Sequence, residues 1–288
     1  MIGVISALGA ASSWTYACHL WREQTKYFSA IEINLIKNII AFFIFLPVLL
    51  SFNFLSNTNE ILILMISGFI GIGLGDSFYI VALKKLGTHR TLLIESISPL
   101  LATILGSIFL NEIPRVKVWV GVLIVSISLI GVAFSKNKRK GDGTILRREN
   151  SGFIFALLSV FCAVIAAVLS RFVLVNSNLN PFQTTEIRLF AGLILLLPFA
   201  KNSLILGIRS LPLKDRQRVL YASFLGTNLG ILLQQNVFQT LPIGIGWTLL
   251  STSPAFSLFY AKAEGEKLNW ESLLLTLTTI LGVSIALI

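Results

Sequence analysis

The chain has 288 residues, of which 55% are hydrophobic and only 12% charged, with a formal net charge of +10. A soluble domain carries about 25% charged residues, so these values exclude a soluble enzyme or binding domain and point to a polytopic membrane protein. A helix needs about 20 apolar residues to cross a bilayer, and the chain offers about ten such runs between its charge clusters. They lie at 2–20, 30–51, 61–83, 91–110, 117–135, 152–175, 183–200, 219–239, 245–263 and 270–288. The connections are short and leave no room for a separate soluble domain. The alternating pattern of membrane barrel strands is absent, so the expected fold is all-α, its backbone groups paired within each spanning helix.

The first run lacks a positively charged leader, and Trp14 and Tyr16 stand where a cleavage site needs small residues. It reads as a span rather than a cleaved signal. Cys18 and Cys162 fall inside expected helices and read as small buried residues, not as a disulfide. His19 and His89 have no partner at ligand spacing, so no metal or other cofactor is implied. The second run carries Lys37 ahead of Pro47. The third contains "GFIGIGLGDSFYIVALKKLG", residues 68–87, with Asp76 in an apolar stretch, and the fourth has Glu95 and Pro99 in "LLIESISPLLATILGSIFL". "GIGLGD" lacks the Gly-Lys-Ser/Thr of a phosphate loop. Gly71 with Gly75, and Gly226 with Gly230 in the eighth run, are small-xxx-small pairs that let helices approach closely.

The basic excess is uneven. Arg22, Lys26, Lys84, Lys85, Arg90, Lys136, Lys138, Arg139, Lys140, Arg147, Arg148, Lys201, Arg209, Lys214, Arg216 and Arg218 follow odd-numbered runs, with Lys262 and Lys267 near the last one; the opposite side has only Arg115 and Lys117. By the positive-inside rule this puts the odd loops in the cytoplasm and both termini outside, in a bacterial-type plasma membrane. The charge is then a topology signal, not a nucleic-acid surface.

The segment 136–151, "KNKRKGDGTILRRENS", reads as a basic cytoplasmic linker between a first unit, 1–135, and a second, 152–288. "GIGLG" ending at Gly75 is matched by "GTNLG" ending at Gly230, "LKKLG" ending at Gly87 by "FQTLP" ending at Pro242, and Ser98-Pro99 by Ser253-Pro254, all 155 residues apart. Lys37 and Pro47 correspond to Arg188 and Pro198 at a spacing of 151 residues. With an odd number of helices per unit, the second copy enters the membrane from the opposite side. Inverted repeats of this kind are found in many secondary transporters, with the site between the halves near the midplane.

The early tryptophan of "ASSWTYACHL", then "GFIGIGLGDSFYIVALKKLG", "SISPLLATILGSIFLNEIP" and "VGVLIVSISLIGV" are answered in the second half by "GTNLGILLQQNVFQTLPIGIGWTLLSTSPAFSLFYAKAEGEKLNW". On these stretches, over essentially its whole length, the chain resembles the EamA family of the drug/metabolite transporter superfamily. The resemblance implies a permease, not an enzyme, that exports a small polar or amphipathic metabolite. It does not name the substrate, since relatives are associated with amino acids, metabolites, sugar derivatives and toxic compounds. Many relatives are expected to have cytoplasmic termini, whereas the charge distribution here points outward.

Asp76 lies about 12 Å inward from Lys84, and Glu95 about 7 Å inward from Arg90, on neighbouring antiparallel helices. Lys37 lies at similar depth. A charge there is costly unless paired or wetted, so Asp76, Glu95 and Lys37 are expected around one polar cavity. They either fix helix packing as an ion pair or serve substrate binding and proton coupling, and direct pairing with Lys37 opposes a proton-loading role. In the second half Ile231 and Leu250 stand in the places of Asp76 and Glu95, and "LLQQNVFQ" supplies the neutral Gln234, Gln235 and Asn236. Arg188 can hold a carboxylate or phosphate bidentately. Arg171 and Glu186 are expected to pair as an interfacial clasp. Trp14, Tyr16, Phe78, Tyr79 and Trp247 line the cavity or else pack in the core or against lipid. Pro99 and Pro254 are expected mid-helix, as hinges or static kinks. The rival classes are a passive channel, a non-transporting membrane partner and a lipid-active enzyme. The last would need clustered acids for a metal or a His/Cys nucleophile pair. Both monomer and dimer fit the duplication.

Overall fold

A computed structural model describes residues 1–50, 57–134, 143–200, 202–261 and 270–287, which form helices joined by short turns, with no strand among them. The first half contains α1 (Ile2–Gln24), α2 (Ala30–Leu50), α3 (Thr58–Gly68), a first π-helical segment (Phe69–Gly75), α4 (Asp76–Leu86), α5 (Thr88–Glu95), α6 (Ser98–Phe109) and α7 (Val116–Phe134). The second contains α8 (Gly143–Asn176), α9 (Pro181–Leu196) with a 3₁₀ turn (Leu197–Phe199), α10 (Asn202–Ser210), α11 (Leu213–Ala222), a second π segment (Ser223–Gly230), α12 (Ile231–Thr240), α13 (Ile243–Leu250), α14 (Ser253–Ala261) and α15 (Trp270–Leu287).

The local signals explain several boundaries. Asn180 and Gln183 form a reciprocal capping box at the start of α9, followed by Pro181 in the first turn. Gly87, at φ 93°, turns the chain between α4 and α5 in a conformation that only glycine takes cheaply. The duplication reappears as matched irregularities. Both glycine-rich stretches, at Gly71–Gly75 and Gly226–Gly230, are π-helical, and both following spans are interrupted by two-residue turns, at Ser96–Ile97 and Ser251–Thr252. Pro99 and Pro254 are therefore not kinks inside continuous helices, as the sequence suggested. Each is the second residue of a new helix, where its missing N–H costs no bond.

Among the described residues, five helices are long and apolar enough to cross a membrane: Ala30–Val48, Thr58–Leu86, Thr88–Phe109, Glu149–Asn176 and Pro181–Phe199; Val116–Val125 and Leu277–Ala286 are shorter apolar helices. The expected runs 2–20 and 219–239 are helical along their lengths, and 245–263 is helical over its described residues apart from the Ser251–Thr252 turn, but their Ser, Thr, Gln and Asn content dilutes the apolar signal. The expectation of about ten crossings is thus met in part. Lys136, Lys138, Arg139, Lys140, Lys201, Lys262 and Lys267 lie outside the described residues, as does the expected linker up to position 142; its remainder begins α8.

The halves interlock. α1 packs along the second π segment and α12, α8 packs along the first π segment and α4, and α2 crosses onto α9. α7 and α15 approach through two glycines, where a Cβ added at Gly282 would stand 2.8 Å from the carbonyl oxygen of Gly121. Large apolar side chains such as Ile108, Phe109 and Phe259 are exposed, while Lys37, Glu186, Arg188 and Gln235 are buried. Apolar outside and polar inside is the distribution expected of an integral membrane protein.

Candidate functional site

A partly open cavity lies between the halves. Its wall takes Trp14 from α1, Gly71, Asp76 and Tyr79 from the third span, Glu95 and Ser96 from the α5–α6 break, Arg188 from α9, Gln234 from α12, and Trp247, Ser251 and Pro254 from the α13–α14 break. The interrupted helices and π segments thus converge on one place, where irregular backbone at membrane depth is tolerated because it borders a cavity.

Asp76 forms an ion pair with Lys37, which is 1% exposed. The same ammonium stands 5.2 Å from the centroid of the Trp21 ring. One turn earlier on the same face of α2, Asn34 donates to the carbonyl of Ile72 at 2.8 Å, the carbonyl of Gly73 at 3.0 Å and the hydroxyl of Ser77 at 2.9 Å. α2 therefore grips both the first π segment and the acid that follows it. The sequence reading missed Asn34. Its three-residue spacing from Lys37, which puts both on one helical face, was the available signal.

Glu95 shares the wall but not the ion pair. The Tyr79 hydroxyl donates to it at 3.2 Å, and that hydroxyl accepts from the Trp14 indole N–H at 3.3 Å and from the Cys18 thiol at 3.3 Å. Arg188 is 4% exposed, and its Nε and Nη1 have no acceptor among the described residues. Gly71 faces it: a Cβ there would stand 3.3 Å from Nη2.

The remaining expected residues divide. Trp14, Tyr79, Trp247, Gln234, Pro254, Gly71, Gly75 and Gly230 line the cavity. Gln235, completely buried, turns away, its Oε1 accepting from Ser170 at 2.6 Å and Thr184 at 3.2 Å. Asn236 is not in the wall. Tyr16 is 37% exposed and packs against Tyr260 with ring centroids 5.6 Å apart. Phe78 packs on Phe155. Pro99 is buried away from the cavity, and Gly226 lets Trp21 and Ala17 pack close.

One expected pairing is corrected. Arg171 binds Glu112, not Glu186, and also donates to the carbonyl of Phe238. Glu112 in turn accepts from the backbone N–H of Ile243 at 2.7 Å. The reason is tertiary: the end of α8 meets the α6–α7 turn and the α12–α13 turn, which carry these groups. Glu186 is fully buried, and neither of its carboxylate oxygens has a hydrogen-bond donor among the described residues.

The model of the EamA-like transporter family matches residues 1–134 and 150–288. A protein of Archaeoglobus fulgidus described as an uncharacterized transporter is 24% identical over 267 residues, covering 90% of this chain and 88% of that one. A solved crystal structure of another protein, 14% identical, superimposes with a TM-score of 0.70 over 99% of this chain and 96% of its own. At that identity the last likeness concerns the fold alone.

Proposed function

The chain belongs to the EamA-like transporter family, part of the drug/metabolite transporter superfamily, and from that premise we propose that this membrane transporter is a secondary permease for a small polar or amphipathic metabolite. It works by alternating access, one half rocking against the other around the central cavity, in the export direction. The observation that carries this reading is the convergence of two π segments and two interrupted helices, one of each per half, on a cavity holding Asp76, Glu95 and Arg188. Interrupted helices can reorient in pieces without breaking continuous hydrogen-bond ladders. The distribution of basic residues supports odd loops in the cytoplasm and both termini outside, in a bacterial-type plasma membrane. The units 1–135 and 152–288 act as the two rocking bodies, joined by the basic linker 136–151.

The test is counterflow in proteoliposomes. Vesicles preloaded with an unlabelled solute from a metabolite panel are expected to take up the labelled solute saturably and transiently above equilibrium. Uptake that is linear in concentration and shows no overshoot would instead establish a passive channel.

A further inference from the structure

We propose that Arg188 is the anion receptor of the cavity and that the transported solute is an organic monoanion, a carboxylate on a small apolar body; this rests on the cavity being the transport site. Lys37 is already engaged by Asp76, and Arg171 lies outside the wall, engaged by Glu112. Arg188 is in the wall, 4% exposed, and neither its Nε nor its Nη1 has an acceptor among the described residues. Asp76 lies near enough to act on Arg188 electrostatically but is bonded to Lys37, and an enclosed guanidinium with open donors is costly. A carboxylate that fills its planar fork replaces the lost hydration with two charge-assisted bonds.

The surroundings narrow the ligand further. Gly71 itself puts no side chain against Nη2, from which an added Cβ would stand 3.3 Å. Glu95, the other acid of the wall, has one oxygen held by Tyr79 and forms no ion pair with Arg188. Asp76 is bonded to Lys37 and Glu95 is held by Tyr79, so Arg188 is the cation of the wall whose fork is left open. One planar fork suits one carboxylate. Trp14, Ile231 and Trp247 supply the apolar face for the rest of the solute.

The experiment uses the full chain purified in detergent, with thermal unfolding followed against 3-phenylpropanoate and its uncharged amide. A ligand of the folded state raises the midpoint by mass action. The carboxylate is expected to raise it and the amide not to. Arg188→Gln should weaken carboxylate binding by about tenfold or more, the loss of a hydrogen-bonded charged partner. Arg188→Lys, which keeps the charge without the fork, should fall between the two and serves alone if the glutamine variant does not fold. Equal binding of the amide, undiminished binding by both variants, or no shift of the wild-type midpoint by the carboxylate would each overturn the proposal. Saturable counterflow of neutral or cationic solutes that survives Arg188→Gln would remove the anion receptor and leave the permease standing. Absence of counterflow for every solute of the panel would remove the permease reading itself.

Discussion

Lys37 and Asp76 show what a buried ion pair does in this protein. Lys37 is almost wholly enclosed, and its partner lines the cavity. Removing one member of a buried pair typically costs about 3–5 kcal/mol, because the other charge is stranded, whereas removing both is often close to neutral. Lys37→Met should therefore lower the thermal midpoint of the purified protein markedly, and Lys37→Met with Asp76→Asn should recover most of the loss. If the double variant is no more stable than the single one, the two charges are not coupled. Tyr79 makes a second residue-scale case. Its hydroxyl links Trp14, Cys18 and Glu95, so Tyr79→Phe removes one of the donors to Glu95, Trp14 being another, at a cost of about 1 kcal/mol. Chemical unfolding of the variant measures that cost, and an unchanged stability would mean that water replaces the hydroxyl in full.

Among elements, the π segments and the broken spans set the shape of the cavity. The wider turn of a π segment displaces backbone carbonyls from the usual ladder, and in the first segment Asn34 meets two of them. Asn34→Leu keeps the volume and removes the donors. Hydrogen exchange is expected to quicken across residues 69–77 in that variant, while exchange in the α7–α15 contact stays as it was. The prolines carry a different expectation. Pro99 and Pro254 sit in the first turns of α6 and α14, where proline is at ease. Pro99→Ala and Pro254→Ala should cost about 1–2 kcal/mol, the packing of the lost ring methylenes at buried sites, and no helix hydrogen bond. A clear rise in midpoint would show instead that each proline interrupts a helix that prefers to be continuous.

For the whole molecule, the two halves are tied at one end by Glu112. It joins the α6–α7 turn to Arg171 on α8 and to the first residue of α13. Below that tie, Ala7, Ala10, Val160, Phe238 and Trp247 form one apolar cluster. Both lie toward the end of the bundle at which α1 begins, and we expect the tie to help close that end. Glu112→Gln keeps the shape but removes the charge opposite Arg171. A single cysteine placed at Ala10, with Cys18 and Cys162 replaced by alanine, should then react faster with a soluble maleimide than it does beside an intact Glu112. Equal rates would make the tie a packing device with no part in closing that end.

The membrane class, the helical fold and the internal duplication were legible in the sequence because they rest on local properties. A lipid-facing backbone must satisfy itself within each segment, which makes long apolar runs helices wherever they pack. A repeat is likewise visible at fixed spacing, as Gly71–Gly75 with Gly226–Gly230 and Ser98-Pro99 with Ser253-Pro254 show. Grouping Asp76, Glu95 and Lys37 around one cavity followed from the rule that charges in such runs face the interior; the two acids line it with Arg188, whereas Lys37 lies outside the wall, paired with Asp76. Partners were not legible. Whether Arg171 meets Glu112 or Glu186, whether Gln235 faces the cavity or Ser170, and whether Glu95 is held by Lys37 or by Tyr79 depend on how each helix is rotated about its axis. That rotation is set by packing against neighbouring helices and not by the apolar length of the span. Only the tertiary structure, with its π segments and broken spans, decided it.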